Sequence, residues 1–194
     1  MAVAFSGVAV PMLACALALP LAGCLRDPIV SSAGAVPSGN WRVERQTDRI
    51  TGAPIASAFL TRRKSSHSGI AFAQPAQMQV GCFREAPIVR FGFEFKIGSN
   101  RNAEFGYRFD EKPGREIKAR FVDDYKSVVI EDQALVAQFL AEMETSAQLY
   151  VRIRSLNAGR TAAEFRLDGA AAAIESAFAG CAASTDQPRR PPSS

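Results

Sequence analysis

Between Val89 and Phe121 the chain is written with a period of two. Val89, Phe91, Phe93, Phe95 and Ile97 alternate with Arg90, Gly92, Glu94 and Lys96. That spacing sends successive side chains to opposite faces, so the run is a strand with one face buried and one wet. Gly98-Ser99-Asn100-Arg101-Asn102 supplies turn residues, after which Phe105, Tyr107 and Phe109 alternate with Glu104, Gly106 and Arg108. The two runs read as an antiparallel hairpin whose aromatic face looks into the core. Lys112-Pro113-Gly114 makes another turn, and Ile117, Ala119 and Phe121 alternate with Glu116, Lys118 and Arg120 as a third strand of the meander.

The same reading extends to both sides. Upstream, Trp41–Gln46 and Ile55–Thr61 form a strand pair, Thr61–Gln77 is a polar, Ser-rich loop, and Met78–Phe83 is a strand with Met78, Val80 and Cys82 on one face. Downstream, Ser127–Ile130 is a short strand. Asp132 caps a helix whose apolar face is Leu135, Val136, Phe139, Leu140 and Met143. Leu149, Val151 and Ile153 alternate again, Asn157-Ala158-Gly159 turns the chain into Ala163, Phe165 and Leu167, and Asp168 caps an Ala-rich helix carrying Ile174, Phe178 and Cys181. The expected fold is α+β: an antiparallel sheet of about seven to eight mostly hairpin-connected strands, with two helices, one of them C-terminal.

The first 24 residues hold no Lys, Arg, Asp or Glu and are dominated by Ala, Val, Leu and Pro, as in the apolar core of a secretory signal. Leu21-Ala22-Gly23-Cys24 resembles the lipobox of bacterial lipoprotein signals. That resemblance implies cleavage after Gly23 and a diacylglycerol on the thiol of Cys24, with the protein tied to a membrane and facing the periplasm. The alternative is ordinary cleavage near Ala22 or Gly23 and a soluble periplasmic product. The expected layout is a signal peptide over 1–23, the lipidated cysteine and a flexible Ser/Gly/Pro-rich tether over 24–40, a single domain over 41–183, and a disordered tail over 184–194.

Export decides what the four cysteines do. Cys15 leaves with the leader and Cys24 is alkylated. Cys82 and Cys181 remain, each on the apolar face of its own element. In an oxidising compartment they are expected to form a disulfide stapling the last helix to the sheet. The alternative is two buried free thiols. Closing a loop of about 100 residues constrains the unfolded chain by about 4–5 kcal/mol in the entropy model.

Signals for chemistry are sparse. With one histidine, His67, and no C-x-x-C pair, a zinc site has few ligands, and no cofactor is expected. Ser65-Ser66-His67-Ser68 places a base beside hydroxyls without the elbow motif of a hydrolase, and reads as a solvated loop. Asp123-Asp124 reads as an exposed turn rather than an acid–base pair. The balance of 23 Lys+Arg against 19 Asp+Glu, net +4, is too mild for a nucleic-acid partner. The wet positions of the strands are more telling. Arg90, Lys96, Arg108, Lys118, Arg120, Arg152, Arg154 and Arg166 stand there against Glu94, Glu104, Glu116 and Glu164. This is a candidate docking face for an acidic envelope protein or an anionic cell-wall polymer; the alternative is a solvated face laced with ion pairs.

In order along the chain stand a Trp-containing first strand, Met78-Gln79-Val80-Gly81-Cys82, Arg108-Phe109-Asp110, Leu149-Tyr150-Val151-Arg152, Phe165-Arg166-Leu167-Asp168-Gly169 and the closing Cys181. This order resembles that of the VasI-type envelope proteins associated with type VI secretion, and covers Trp41 to Cys181. Members of that family tend to carry D-P-x-D at the first hairpin turn, where this chain has Gln46-Thr47-Asp48-Arg49. The resemblance implies a cell-envelope accessory protein with no enzymatic activity and no catalytic residue. The expected function is therefore a non-catalytic, membrane-anchored binding module. The alternatives are an envelope hydrolase using carboxylates distant in sequence, and a small periplasmic inhibitor of a hydrolase.

Overall fold

The computed structural model describes residues 30–38, 40–48, 50–99, 101–179 and 181. In chain order these build β1 (Val30–Ser38), β2 (Trp41–Asp48), β3 (Pro54–His67), β4 (Ile70–Phe83), β5 (Ala86–Phe93), β6 (Ala103–Phe109), β7 (Arg115–Ile117), β8 (Arg120–Val122) and β9 (Ser127–Ile130). Then come α1 (Gln133–Glu144), β10 (Gln148–Ser155), β11 (Gly159–Arg166) and α2 (Ala170–Phe178). One antiparallel sheet runs β7-β6-β10-β11-β3-β4-β5-β9-β8, with β2 added to β3 and β1 to β2. The class is the expected α+β with a C-terminal helix, but the strands number eleven among the described residues, more than the alternation suggested.

Much of the additional strand comes from segments without an apolar rhythm. Val30–Ser38, expected as tether, lies along β2 with Val30 opposite Asp48 and Ser38 opposite Trp41. Backbone groups make that pairing, so a segment with no apolar alternation can join an edge. Thr61–Gln77, expected as a loop, is the body of the long β3–β4 hairpin. Its rhythm is broken by a bulge: Arg62 faces Ala76 but Ser65 faces Gln74, three steps on one strand against two on the other. The buried parity thereby passes from Leu60 to Ser65.

Two strand partners also differ from expectation. The runs around Phe91 and Phe105 are not a hairpin. β5 lies between β4 and β9, and β6 between β10 and β7. Alternation says which face is buried, not which strand lies alongside. Their aromatic faces meet across the interior instead, Phe91 and Phe105 having ring centroids 5.4 Å apart. The single strand expected through Phe121 is two, β7 and β8, at opposite ends of the sheet. Only Lys118 and Ala119 join them, so the sheet curls until its two edges are neighbours, giving a half-barrel.

The concave side is filled by the helices. In α1, Asp132 accepts from the amide of Leu135 at 3.0 Å, as a helix N-cap does, and Val136, Phe139 and Met143 are buried. Phe139 meets Tyr107 and Phe109 at 5.0 and 4.9 Å; truncating it to Ala would cost about 3–5 kcal/mol. In α2, the small Ala170, Ala173 and Ala177 beside Ile174 let the helix lie close on β2, β3 and β4. Asp168 is not its cap. That position is Gly169, whose φ of 85° suits a residue without Cβ, and no side chain caps it. Asp168 instead accepts from the side-chain amide of Asn40 at 3.1 Å, tying the β1–β2 turn to the start of α2. Cys181 lies beyond the helix end rather than on its face, and its disulfide to Cys82 joins that end to β4.

Candidate functional site

β3 is long enough to serve two strands along one edge. Its first part, Pro54–Phe59, pairs with β2, and Ser65–His67 pairs with β11. Between them the sheet forks, and the bulge after Arg62 sits at the division. Here a cleft of about 650 Å³ opens, lined by Arg62, Arg108, Arg166, Tyr150, Glu164 and the Asp110–Glu111 turn, with Phe165 and Leu149 adding apolar wall.

The ends of β6 and β11 build its rim. Asp110, at the end of β6 with φ +46°, accepts from the amides of Ala147 and Gln148 at 3.1 and 2.8 Å, which holds β6 against the start of β10. That is the structural task of Arg108-Phe109-Asp110. Leu167 donates its amide to Ala147 at 2.9 Å, closing the rim on the β11 side. The floor follows from register: Arg108, Tyr150 and Glu164 stand side by side across β6, β10 and β11, and Gln148 beside Arg166.

The eight basic residues read from the strand pattern divide into two groups. Arg90 is held by Asp123, and Lys96 by Asp124 at 2.9 Å. Arg120 clasps Glu131 with two bonds of 2.8 Å. Arg152 reaches Glu116 at 2.6 Å, and Arg154 reaches Glu116 and Glu104 at 2.7 and 3.0 Å. Arg108, Lys118 and Arg166 have no ion pair among the described residues, and neither have Glu164 and Glu111. Two of these three open cations, Arg108 and Arg166, line the cleft at the fork. The expected docking face is thus neutralised over much of its area and open at one place.

Glycine explains one long reach. Arg152 and Glu116 are two strands apart, with Gly106 of β6 between them in register. A Cβ on Gly106 would stand 3.4 Å from Glu116 Cγ and 3.1 Å from the Arg115 carbonyl. The bare backbone lets the carboxylate lie across β6 to its arginines.

Arg62 is a residue the sequence reading passed over, because it sits in the segment taken for a loop. It has the inward parity of Leu60, yet lines the same cleft as the outward-facing Arg108 and Arg166; the split in the sheet is what permits this. Its Nε is buried with no hydrogen-bond partner. An arginine interrupting a β-branched and apolar strand just before a bulge was the available signal.

Electrostatic shifts are few. The hydrogen bond from Arg120 holds the Glu131 carboxyl below its ordinary range, and the same bond raises the guanidinium of Arg120. Burial pushes the Tyr107 phenol up, partly offset by Arg115, which lies near it in an ion pair of 2.8 Å with Glu142.

The other candidates for chemistry are occupied. His67 is in β3 rather than a loop, its Nδ1 2.9 Å from the Thr161 hydroxyl and its ring 4.5 Å from that of Phe95. Thr161 is 1% exposed, so that hydroxyl has no open approach. Ser65 is buried and donates to the Gln74 carbonyl at 2.7 Å. Asp123 and Asp124 form the expected turn, both with positive φ, and serve Arg90 and Lys96. Among the described residues no group of His, Cys, Asp and Glu is placed to hold a metal ion, and no helix is long and apolar enough to cross a membrane. Cys15, Cys24, the leader and the Ser184–Ser194 tail lie outside the described residues.

No protein-family model, no curated protein and no solved structure matches the chain.

Proposed function

We propose that this chain is a non-catalytic accessory module of the bacterial cell envelope, anchored through lipid on Cys24, which docks a charged partner at the fork of its sheet. The observation that carries the docking is the segregation of charge. Arg90, Lys96, Arg120, Arg152 and Arg154 are consumed by carboxylates, whereas Arg62, Arg108 and Arg166 line one cleft without an ion pair among the described residues. Unpaired guanidiniums facing a common space gain most from an outside acceptor. Export is supported by the lipobox-like Leu21-Ala22-Gly23-Cys24 and by the Cys82–Cys181 disulfide, a bond that persists in oxidising compartments. The link to secretion rests on the VasI-like order of motifs.

The export part is tested by the intact mass of the protein from a detergent-extracted envelope fraction. A mass for residues 24–194 plus acyl chains, unchanged in thiol count until reductant is added, is the expected result. A full-length, unacylated chain with free thiols removes the reading. The docking part is tested by capture from envelope extracts: Arg108→Gln with Arg166→Gln should weaken capture about tenfold, and 0.5 M salt should weaken it similarly, where 0.5 M is a working choice of about one-half the concentration that shrinks the Debye length to 3 Å. Arg152→Gln, whose charge is already met by Glu116, should leave capture within about twofold.

A further inference from the structure

The lining of the cleft says what kind of partner it suits. Resting on the docking reading above, we infer that the cleft takes a mixed-charge peptide segment of a protein partner, with a carboxylate seated on Arg62 and Arg166 and a cationic donor on Glu164.

Three observations carry this. First, both signs line the cleft and do not satisfy each other. Among the described residues Arg108, Arg166 and Arg62 have no ion pair, and neither have Glu164 and Glu111, although all five line one space. Tyr150 stands between Arg108 and Glu164, which at about 4.8 Å per strand are about 10 Å apart. Opposite charges held apart across a neutral floor match a ligand that carries both. A pure polyanion meets Glu164 and Glu111 as repulsion. Secondly, the buried Nε of Arg62 lacks an acceptor. That nitrogen is closed to an incoming group, but it shows that the guanidinium is not satisfied from within, so the part of Arg62 that lines the cleft is left to take a carboxylate, its natural partner. Thirdly, Tyr150, Leu149 and Phe165 give the cleft apolar surface, against which the backbone and side-chain stems of a peptide can lie. Asp110 is engaged by the Ala147 and Gln148 amides, but neutral donors leave its negative charge in place, and it adds to the repulsion that a pure polyanion meets.

The test uses the isotope-labelled full chain and two synthetic probes, acetyl-Gly-Glu-Gly-Lys-Gly-amide and acetyl-Gly-Glu-Gly-Glu-Gly-amide, with polyglutamate as a third. Binding is followed by the Nε–Hε resonance of Arg62 and the amide resonances of Gln148 and Tyr150. The mixed-charge probe should saturate these shifts and bind about threefold more tightly than the di-acidic one, a difference on the scale of one exposed charge contact. Arg62→Gln and Arg166→Gln should each weaken it about fivefold, on the scale of one charge-assisted hydrogen bond. Glu164→Gln should abolish the preference between the two probes. Thermal unfolding of each variant, compared with the parent, separates lost binding from lost folding. Tighter binding of polyglutamate or the di-acidic probe, with the same arginine dependence, overturns the mixed-charge inference and leaves electrostatic docking intact. Binding of none of the three, or shifts indifferent to Arg62, Arg108 and Arg166, overturns both.

Discussion

Two pairs of opposite charges on the wet face of this sheet have the same span and opposite outcomes. Arg152 on β10 and Glu116 on β7 are separated by β6, and close to 2.6 Å over Gly106. Arg108 on β6 and Glu164 on β11 are separated by β10, and Tyr150 stands between them. Strand spacing makes both distances about 10 Å between backbones. Long side chains bridge two strands where the middle residue leaves the surface bare, and fail where a ring occupies it. The neutral residue in the middle, not the number of charges, decides whether such a face quenches itself or stays available.

The largest effect that bears on this contrast comes from the disulfide. Cys82→Ser with Cys181→Ser should lower stability to urea by about 2–5 kcal/mol. Because α2 follows directly on β11, hydrogen-exchange protection should fall along β11 and the Tyr150 side, and persist between β6 and β7. Equal protection loss on both sides would remove the regional difference.

Next in size is Gly106→Ala. Its Cβ would crowd the Arg115 carbonyl and Glu116, with an expected loss of about 1–2 kcal/mol. The Arg152–Glu116 coupling, measured by a double-mutant cycle, should fall from about 0.5–1 kcal/mol toward zero. An undiminished coupling would show that the bare glycine is not what closes the pair.

Tyr150→Gly is the reciprocal experiment. It should cost about 1 kcal/mol as a glycine in a strand interior. It should also raise the Arg108–Glu164 coupling from near zero to about 0.5 kcal/mol, and weaken binding at the cleft as the two charges satisfy each other. A cycle still reading zero would mean that the ring is not the barrier.

The smallest effect is in acid. Arg120 and Glu131 pair with no strand between them, through two bonds of 2.8 Å. Glu131 has its folded pKa depressed by that hydrogen bond. Its contribution is therefore present above the ordinary glutamate range, about 4.3, and is lost as pH falls through the lower folded value. Arg120→Gln should flatten the acid limb of the stability–pH curve by a few tenths of a kcal/mol, on the scale of an exposed pair. An unchanged limb assigns the acid sensitivity elsewhere.

How much of this was legible in the amino-acid order depends on which physical quantity a residue reports. Burial was legible: Phe91, Phe105, Tyr107, Phe139 and Leu149 are on the faces that alternation and helical spacing assign, because a period is a local property. The Cys82–Cys181 bond was legible because Cys82 has the inward parity of its strand and one other thiol was expected to remain to meet it; the helical period assigned to Cys181 was not observed, since that residue lies past the end of α2. Partnership was not. Nothing in the runs around Phe91 and Phe105 says that they face one another across the interior, and nothing in Ile117–Phe121 says that its ends belong to opposite edges. Those are consequences of closure, which no single segment encodes. The basic face was legible as a set of charges, but its sorting required knowing that Gly106 lies under Glu116 and Tyr150 between Arg108 and Glu164. Arg62 was missed because the bulge beside it shifts parity and disguises a strand as a loop.

β1 has a bearing on where the molecule would stand. Only residues 25–29 separate Cys24 from Val30, the first residue of that strand. Even drawn out straight, such a connection reaches about 20 Å. Val30 lies opposite Asp48, beside the β2–β3 turn with its exposed Ile50. On the proposed lipid anchor at Cys24, the leash would be too short for the body to drift. That turn would hover at the headgroups, and the far tip of the β3–β4 hairpin, some 14 residues of strand away, would project away from them like the head of a post.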